Sequence, residues 1–171
     1  GASSLPGAEY AKTSEKLIGG KSVVGIYNVS RPTMTVYAPT GQNTGAAVVV
    51  FPGGGFQELA MDLEGTEVCD WLTSKGVTCV LLKYRVPSIP YVWQCDCRPH
   101  NHALSMPSLQ DAQRTLRLVR AHAAEWHVDP RKVGVLGFSA GGFLVVEVST
   151  TYTRRLYAPA DAADRESSRP D

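Results

Sequence analysis

The sequence predicts an α/β fold, a mostly parallel sheet with helices on both faces. Three observations carry this expectation. Residues 46–51, 77–82 and 133–137 are apolar runs rich in β-branched residues. They lack the polar alternation of a half-exposed strand and suit strands buried on both faces. Between them lie segments with apolar residues at helical spacing, so strands and helices alternate along the chain, as in a sheet whose crossovers cover it.

The elements follow in order. Residues 1–30, rich in Gly, Ser and Lys, predict an irregular lead-in. Asn28-Val-Ser30 within it is a glycosylation sequon, which has meaning only in a secreted eukaryotic protein. Thr33-Met-Thr-Val-Tyr-Ala38 alternates and stops at Pro39, which predicts a strand. Residues 41–45 read as a turn, and 46–51 as a buried strand running straight into Pro52-Gly-Gly-Gly55. A helix is expected over 64–74, with Val68, Trp71 and Leu72 as its apolar stripe and Gly76 as its stop. A second buried strand covers 77–82. Residues 84–106 predict a long loop with several prolines, and long loops tend to be functional or mobile. Ser108 is the expected N-cap of a helix reaching about Trp126. Leu109, Ala112, Leu116, Val119, Ala123 and Trp126 form its apolar stripe; Arg114, Arg117 and Arg120 lie off the stripe and read as a solvated face. Asp129-Pro130 breaks the chain before the third buried strand. Residues 151–171 form a polar tail rich in Asp and Arg.

Composition narrows the function classes. A chain of 171 residues suits one core rather than two. The formal net charge of +1 offers no electrostatic reason for a nucleic-acid or membrane-surface partner. No apolar run is long enough to span a bilayer. Gly1-Ala-Ser-Ser-Leu-Pro6 lacks the features of a signal peptide and suits a cloning scar or a processed end. Cys69 and Cys79, in a helix-like and a strand-like segment, read as buried free thiols. Four cysteines do not make a disulfide scaffold, so secreted, periplasmic and cytoplasmic locations all stay open.

Gly137-Phe138-Ser139-Ala140-Gly141 is the most informative motif. A serine nucleophile must sit on a very tight strand-to-helix turn so that its hydroxyl projects from the sheet edge, and side chains at the flanking positions would strike the neighbouring strand and helix. The predicted strand before the motif and helix after it supply that context. No Lys-Ser or Lys-Thr pair follows the glycines, which disfavours a phosphate loop. Pro52-Gly-Gly-Gly-Phe56 follows the first buried strand. Acyl transfer needs preorganised N–H donors for a tetrahedral oxyanion, and a glycine run lets backbone amides approach a substrate. The glycine run is one candidate source of donors, and the N–H of Ala140, which begins the following helix, is the other. A serine nucleophile also needs a histidine base and an acid to orient it. No histidine follows Ser139 in the sequence.

Cys95-Asp-Cys97-Arg-Pro-His100-Asn-His102 packs four metal-ligand types together, but the spacing is too tight for one zinc ion to use all four. A local disulfide or plain loop thiols is the preferred reading. His100 or His102 as base runs against the strand-elbow-acid-histidine chain order. His122 and His127 read as surface or capping residues.

With these motifs, Leu82-Lys-Tyr-Arg85, Leu109-Gln-Asp-Ala-Gln-Arg114, Glu125-Trp-His-Val-Asp-Pro130 and Val135-Leu-Gly-Phe-Ser-Ala-Gly-Gly142 stand in the order expected of one family. From about residue 28 onward the chain resembles the bacterial α/β-hydrolase esterases related to acetyl, acetylxylan and feruloyl esterases. The resemblance implies an α/β-hydrolase fold and hydrolysis of carboxylic esters through an acyl-enzyme on Ser139. It implies the backbone amides of Gly54, Gly55 and Ala140 as oxyanion hole, with the Phe56 N–H as a rival among the loop amides, and it implies no metal and no organic cofactor. The implied substrate is a small ester, plant cell-wall carbohydrate esters among them. Phe143 stands where many relatives have histidine, and the 88–106 loop is longer and richer in cysteine. The family continues past the elbow helix with more strands and the triad acid and histidine. The chain therefore reads as the N-terminal portion of a single domain, expected to need a C-terminal complementing segment or a second chain. Asp161, Asp164 and Asp171 lie directly behind the elbow helix, before the strand that precedes the family's triad acid, and are not assigned. A non-catalytic scaffold or binding module is the alternative reading. A prolyl-oligopeptidase-like peptidase ranks last, because the large extra domain of that group is absent.

Overall fold

Strands with apolar side chains on both faces demand cover on both faces. A computed structural model describes residues 9–13, 21–86 and 102–171, with the backbone alone at Tyr10 and 102–104, and places that cover. In chain order the elements are β1 (Tyr10–Thr13), β2 (Val24–Tyr27), β3 (Thr33–Tyr37), β4 (Ala47–Phe51) and β5 (Glu58–Ala60). A turn of π-helix, Asp62–Thr66, then runs into α1 (Glu67–Ser74), followed by β6 (Thr78–Lys83), α2 (His102–Ala121), β7 (Val133–Gly137) and α3 (Ala140–Thr151). A short 3-10 turn, Ala162–Arg165, lies in the tail.

The main sheet has the order β3-β6-β4-β7. β4 pairs in parallel with β6 and β7, and β3 runs antiparallel on β6. The fold is therefore the expected α/β architecture with a mostly parallel sheet. Side chains alternate across each strand. Val49 and Phe51 of β4 and Val80 and Leu82 of β6 bury with Leu116 and Val119 of α2 and Leu144 and Val148 of α3. Val50, Cys79 and Leu81 bury on the other face with Cys69 and Leu72 of α1.

The structure corrects several expectations. The lead-in over 1–30 contains β1 and β2, which join β5 in a small antiparallel sheet. Strands this short carry too little pattern to be read against Gly and Ser neighbours. On α1 the inward residues are Cys69 and Leu72, while Trp71 is 58% exposed. Cys69 and Cys79 are not free thiols: α1 packs on β6 with their Cα atoms 5.2 Å apart, and they form a disulfide. Within that range a bridge needs no backbone movement.

Ser108 is not an N-cap. The helix starts at His102 and takes Pro107 inside it, and the Ser108 hydroxyl donates to the Arg85 carbonyl at 2.7 Å. Arg85 in turn grips Asp111, donating from Nη2 at 2.8 Å and from its backbone N–H at 2.9 Å. Burial pushes the Asp111 carboxyl up despite these contacts with Arg85. The ion pair fixes the exit of β6 against α2. Most of the 84–106 loop, including Cys95, Cys97 and His100, lies outside the described residues, as does the His102 side chain.

Arg114, Arg117 and Arg120 are not a solvated face. The tail returns over α2 and supplies their partners. Arg114 makes a two-pronged contact with Asp161, 2.9 and 2.5 Å, and lies 3.0 Å from Asp164. Arg117, 5% exposed, donates to the Tyr157 hydroxyl at 2.8 Å and to the Glu166 carbonyl at 3.3 Å. Arg120 reaches the Ser167 and Arg169 carbonyls and the Asp171 carboxylate. The polar tail is thus strapped to the helix by charge.

Candidate active site

The site starts from the parallel register of two neighbouring strands. Phe51 of β4 stands opposite Gly137 of β7, so the glycine loop after β4 and the serine turn after β7 leave the sheet side by side at its C-terminal edge. That edge is where open α/β sheets bind ligands. The Phe138 N–H donates to the Phe51 carbonyl at 3.2 Å and carries the contact one residue further.

Ser139 occupies φ 49°, ψ −115°, between the end of β7 and the first residue of α3. Backbone of this kind in a residue with a side chain costs about 1–3 kcal/mol and persists only where its surroundings enforce it. Here they do. A methyl on Gly141 would collide with the Phe51 carbonyl, and one on Gly137 would collide with the Gly141 backbone. Strand, turn and helix are therefore in bare contact, and Ser139 is left exposed at the apex. The Gly141 N–H is taken by the Phe138 carbonyl at 2.7 Å. The Ala140 N–H, at the first position of α3, is one of the donors a helix start leaves without an intrahelical partner.

The glycine loop is equally constrained. Gly54 has φ 136°, and a side chain there would strike the Glu58 carbonyl. The Gly53 carbonyl accepts from the Ala60 N–H at 3.1 Å, and the Gly54 carbonyl accepts from the N–H groups of Gln57 and Glu58 at 3.0 and 3.1 Å. In a trans peptide the carbonyl and the next N–H point in opposite directions. The amides of Gly54 and Gly55 therefore point away from 57–60. Phe56, φ 59°, turns its buried ring edge-on to Tyr84 and Phe143, with centroids 6.3 and 6.0 Å away.

The described histidines lie elsewhere. His127 accepts at its carbonyl from Asn43, just before the start of β4 and at the opposite end of the strands from Ser139. His122 stacks on Trp126 and meets Glu125. The acids of the tail are engaged too. Asp171 accepts from the Val133 N–H at 3.0 Å, at the far end of β7. At about 3.3 Å per residue, that is roughly 20 Å from Ser139. Asp161 and Asp164 bind Arg114. Among the described residues no group of three or more His, Cys, Asp or Glu could hold a metal ion. Nor is any helix among them long and apolar enough to cross a membrane.

Two residues near the serine escaped the sequence reading. Glu64 Oε2 accepts from the Gly53 N–H at 2.7 Å, and the Tyr84 hydroxyl donates to the Pro52 carbonyl at 2.5 Å. Tyr84 sits in one of the motifs quoted above, which was a signal of importance without a role attached.

The BD-FAE family matches residues 34–169, a span that holds both the glycine loop and the serine turn. The chain belongs to the BD-FAE family. An acetylxylan esterase of Xylanibacter ruminicola is 29% identical over 140 residues, covering 82% of the chain and 26% of that protein. An acetyl ester-xyloside bifunctional hydrolase from Caldicellulosiruptor lactoaceticus is similar in structure, with a TM-score of 0.64 and 35% identity over 82% of the chain and 46% of its own. The thermophilic esterase Est2 of Thermogutta terrifontis follows with a TM-score of 0.61 and 25% identity over 95% of the chain and 50% of its own. These structures place this BD-FAE chain in the α/β-hydrolase fold of esterases. The chain spans about a quarter of the acetylxylan esterase and about half of the solved structures.

Proposed function

We propose that this BD-FAE chain carries the nucleophile half of a serine carboxylic-ester hydrolase. The observation that carries the reading is the register of Phe51 with Gly137, which sets a glycine loop with outward amides beside an exposed, strained serine. In the proposed reaction a histidine base accepts the Ser139 proton as Oγ attacks the ester carbonyl. The amides of Gly54, Gly55 and Ala140 stabilise the tetrahedral oxyanion. Preorganised donors of this type are worth about 3–4 kcal/mol each in the transition state. Collapse of the intermediate breaks the ester C–O bond, and the alcohol leaves with the proton held by the histidine. Water then hydrolyses the acyl-enzyme by the same route, returning the proton to Ser139 and releasing the acid.

The acid and the histidine lie outside this chain in this reading. Support comes from the placement of His122 and His127 away from Ser139 and from the ion pairs that occupy Asp161, Asp164 and Asp171. A C-terminal complementing segment or a second chain supplies them. Such a segment would also cover β7, whose one sheet neighbour among the described residues is β4. The names of the relatives favour a small acyl group, acetyl above all, on a carbohydrate alcohol. The test is Ser139→Ala in the full-length protein, assayed on aryl acetates and acetylated xylo-oligosaccharides. Hydrolysis is expected to vanish, and unchanged turnover would overturn the proposal.

A further inference from the structure

The peptide that joins Pro52 to Gly53 is held at both edges. Its carbonyl accepts the Tyr84 hydroxyl at 2.5 Å, and its N–H donates to Glu64 Oε2 at 2.7 Å. Because these two groups point in opposite directions in a trans peptide, any rotation of the plane breaks both bonds at once. The two gripping residues come from different elements. Tyr84 leaves the end of β6 with its ring fully buried, and Glu64 sits in the π-helical turn before α1. Single π-helical turns of this kind are frequent at functional sites.

The gripped peptide touches the serine turn directly. A methyl built on Gly53 would stand 2.7 Å from Glu64 Oε2, 2.7 Å from the Phe138 carbonyl and 3.1 Å from Ser139 Cβ. Gly53 is thus the point where the loop, Glu64 and the nucleophile turn converge, and the next two amides in the chain are those of Gly54 and Gly55. Burial first, and the Glu64 charge second, push the Tyr84 phenol far above its ordinary range, so it remains a donor.

We propose that Glu64 and Tyr84 are positioning residues that clamp the Pro52–Gly53 peptide and thereby aim the Gly54 and Gly55 amides at the oxyanion formed on Ser139. This deepens the serine-hydrolase reading and rests on it. Glu64 serves as a hydrogen-bond acceptor and carries no proton in the reaction. The clamp is silent until charge develops on the carbonyl oxygen, so its effect belongs to kcat rather than to KM.

The test compares Glu64→Ala, Glu64→Gln, Tyr84→Phe and Ser139→Ala in the full-length protein. The readouts are kcat and KM on an aryl acetate and inhibition by an aryl boronic acid, whose tetrahedral adduct mimics the oxyanion. Misplacing a catalytic group by about 1 Å can cost about 100-fold. Glu64→Ala and Tyr84→Phe are therefore expected to lose about 10- to 100-fold in kcat and in boronate affinity, with KM held within about threefold. Glu64→Gln retains an acceptor oxygen and should recover most of the activity. Tyr84→Phe and Glu64→Gln decide the matter if Glu64→Ala does not fold. The clamp is overturned if Tyr84→Phe keeps wild-type kcat and boronate affinity, if the losses fall on KM alone, or if Glu64→Gln is as inactive as Ser139→Ala. An unchanged Ser139→Ala would instead overturn the serine-hydrolase reading beneath it.

Discussion

Asp164 anchors the tail strap, and its removal can be followed quantitatively. Its carboxylate is 2% exposed, accepts from the Tyr157 hydroxyl at 2.5 Å and the Ala160 N–H at 2.7 Å, and lies 3.0 Å from Arg114. Burial alone would raise its pKa. The Ala160 N–H, the Tyr157 hydroxyl and Arg114 outweigh burial and lower it from 3.8 to about 2. A tenfold change in proton affinity is worth about 1.4 kcal/mol, so the ionised group contributes about 2 kcal/mol to the folded state. Asp164→Asn should lose about that much. The larger cost of about 3–5 kcal/mol for orphaning a buried charge does not apply. Arg114 keeps Asp161, and Arg117 keeps Tyr157 and the Glu166 carbonyl. The sign follows from a depressed carboxyl. The stabilisation is complete above pH 3.8 and disappears as pH falls through 3.8 toward 2. Urea unfolding of wild type and Asp164→Asn should therefore differ by about 2 kcal/mol at pH 7 and by about half of that at pH 3. A difference below about 0.5 kcal/mol at pH 7, the level of an ordinary surface change, would refute the argument. So would an undiminished difference at pH 3.

Other outcomes follow from the same structure. Alkylation of the unfolded, unreduced protein should leave Cys69 and Cys79 unmodified. Reducing their bridge should cost about 2–3 kcal/mol in urea melts, as expected for so short a loop; full alkylation without reductant would show the thiols to be free. Gly141→Ala and Gly142→Ala should have opposite effects. The first drives a methyl into the Phe51 carbonyl, whereas the second meets its nearest neighbour, the Gly137 carbonyl, at 3.5 Å. Gly141→Ala should destabilise by about 1–3 kcal/mol or more through overpacking, and Gly142→Ala should gain about 0.5–1 kcal/mol from helix propensity and reduced chain entropy. Equal urea midpoints for the two variants would contradict that assignment.

Legibility in the sequence tracked locality. β4, β6 and β7 were readable because burial on both faces leaves a continuous apolar run. The serine turn and glycine loop were readable because each is a short segment whose backbone demands glycine. β1, β2 and β5 were not, since strands of three or four residues are too short to show a pattern. The arginine faces of α2 were misread for a related reason. Arg114, Arg117 and Arg120 at three-residue steps form a cationic row, and the Asp-rich tail is its complement. A row of charges on a helix is ordinarily solvated, and only the return of the tail pairs this one and buries Arg117. Ser108 misled in the same way: a hydroxyl that suits an N-cap found a better partner in the Arg85 carbonyl, and the helix ran on through Pro107.

By itself the sequence determined which segments would be strands and helices in the main sheet, that Ser139 sits on a glycine-flanked turn, and which family the motifs belong to. Each of these depends on residues close together in the chain. Tertiary structure decided what those pieces do to one another. It joined Cys69 to Cys79, bound Arg85 to Asp111, strapped the tail to α2, and set the Pro52–Gly53 peptide between Tyr84 and Glu64. The disulfide needed α1 packed on β6, and the other three share one physical reason. A hydrogen bond or ion pair depends on distance and direction within about 3 Å, and such distances between remote residues exist only once the strands have taken their register.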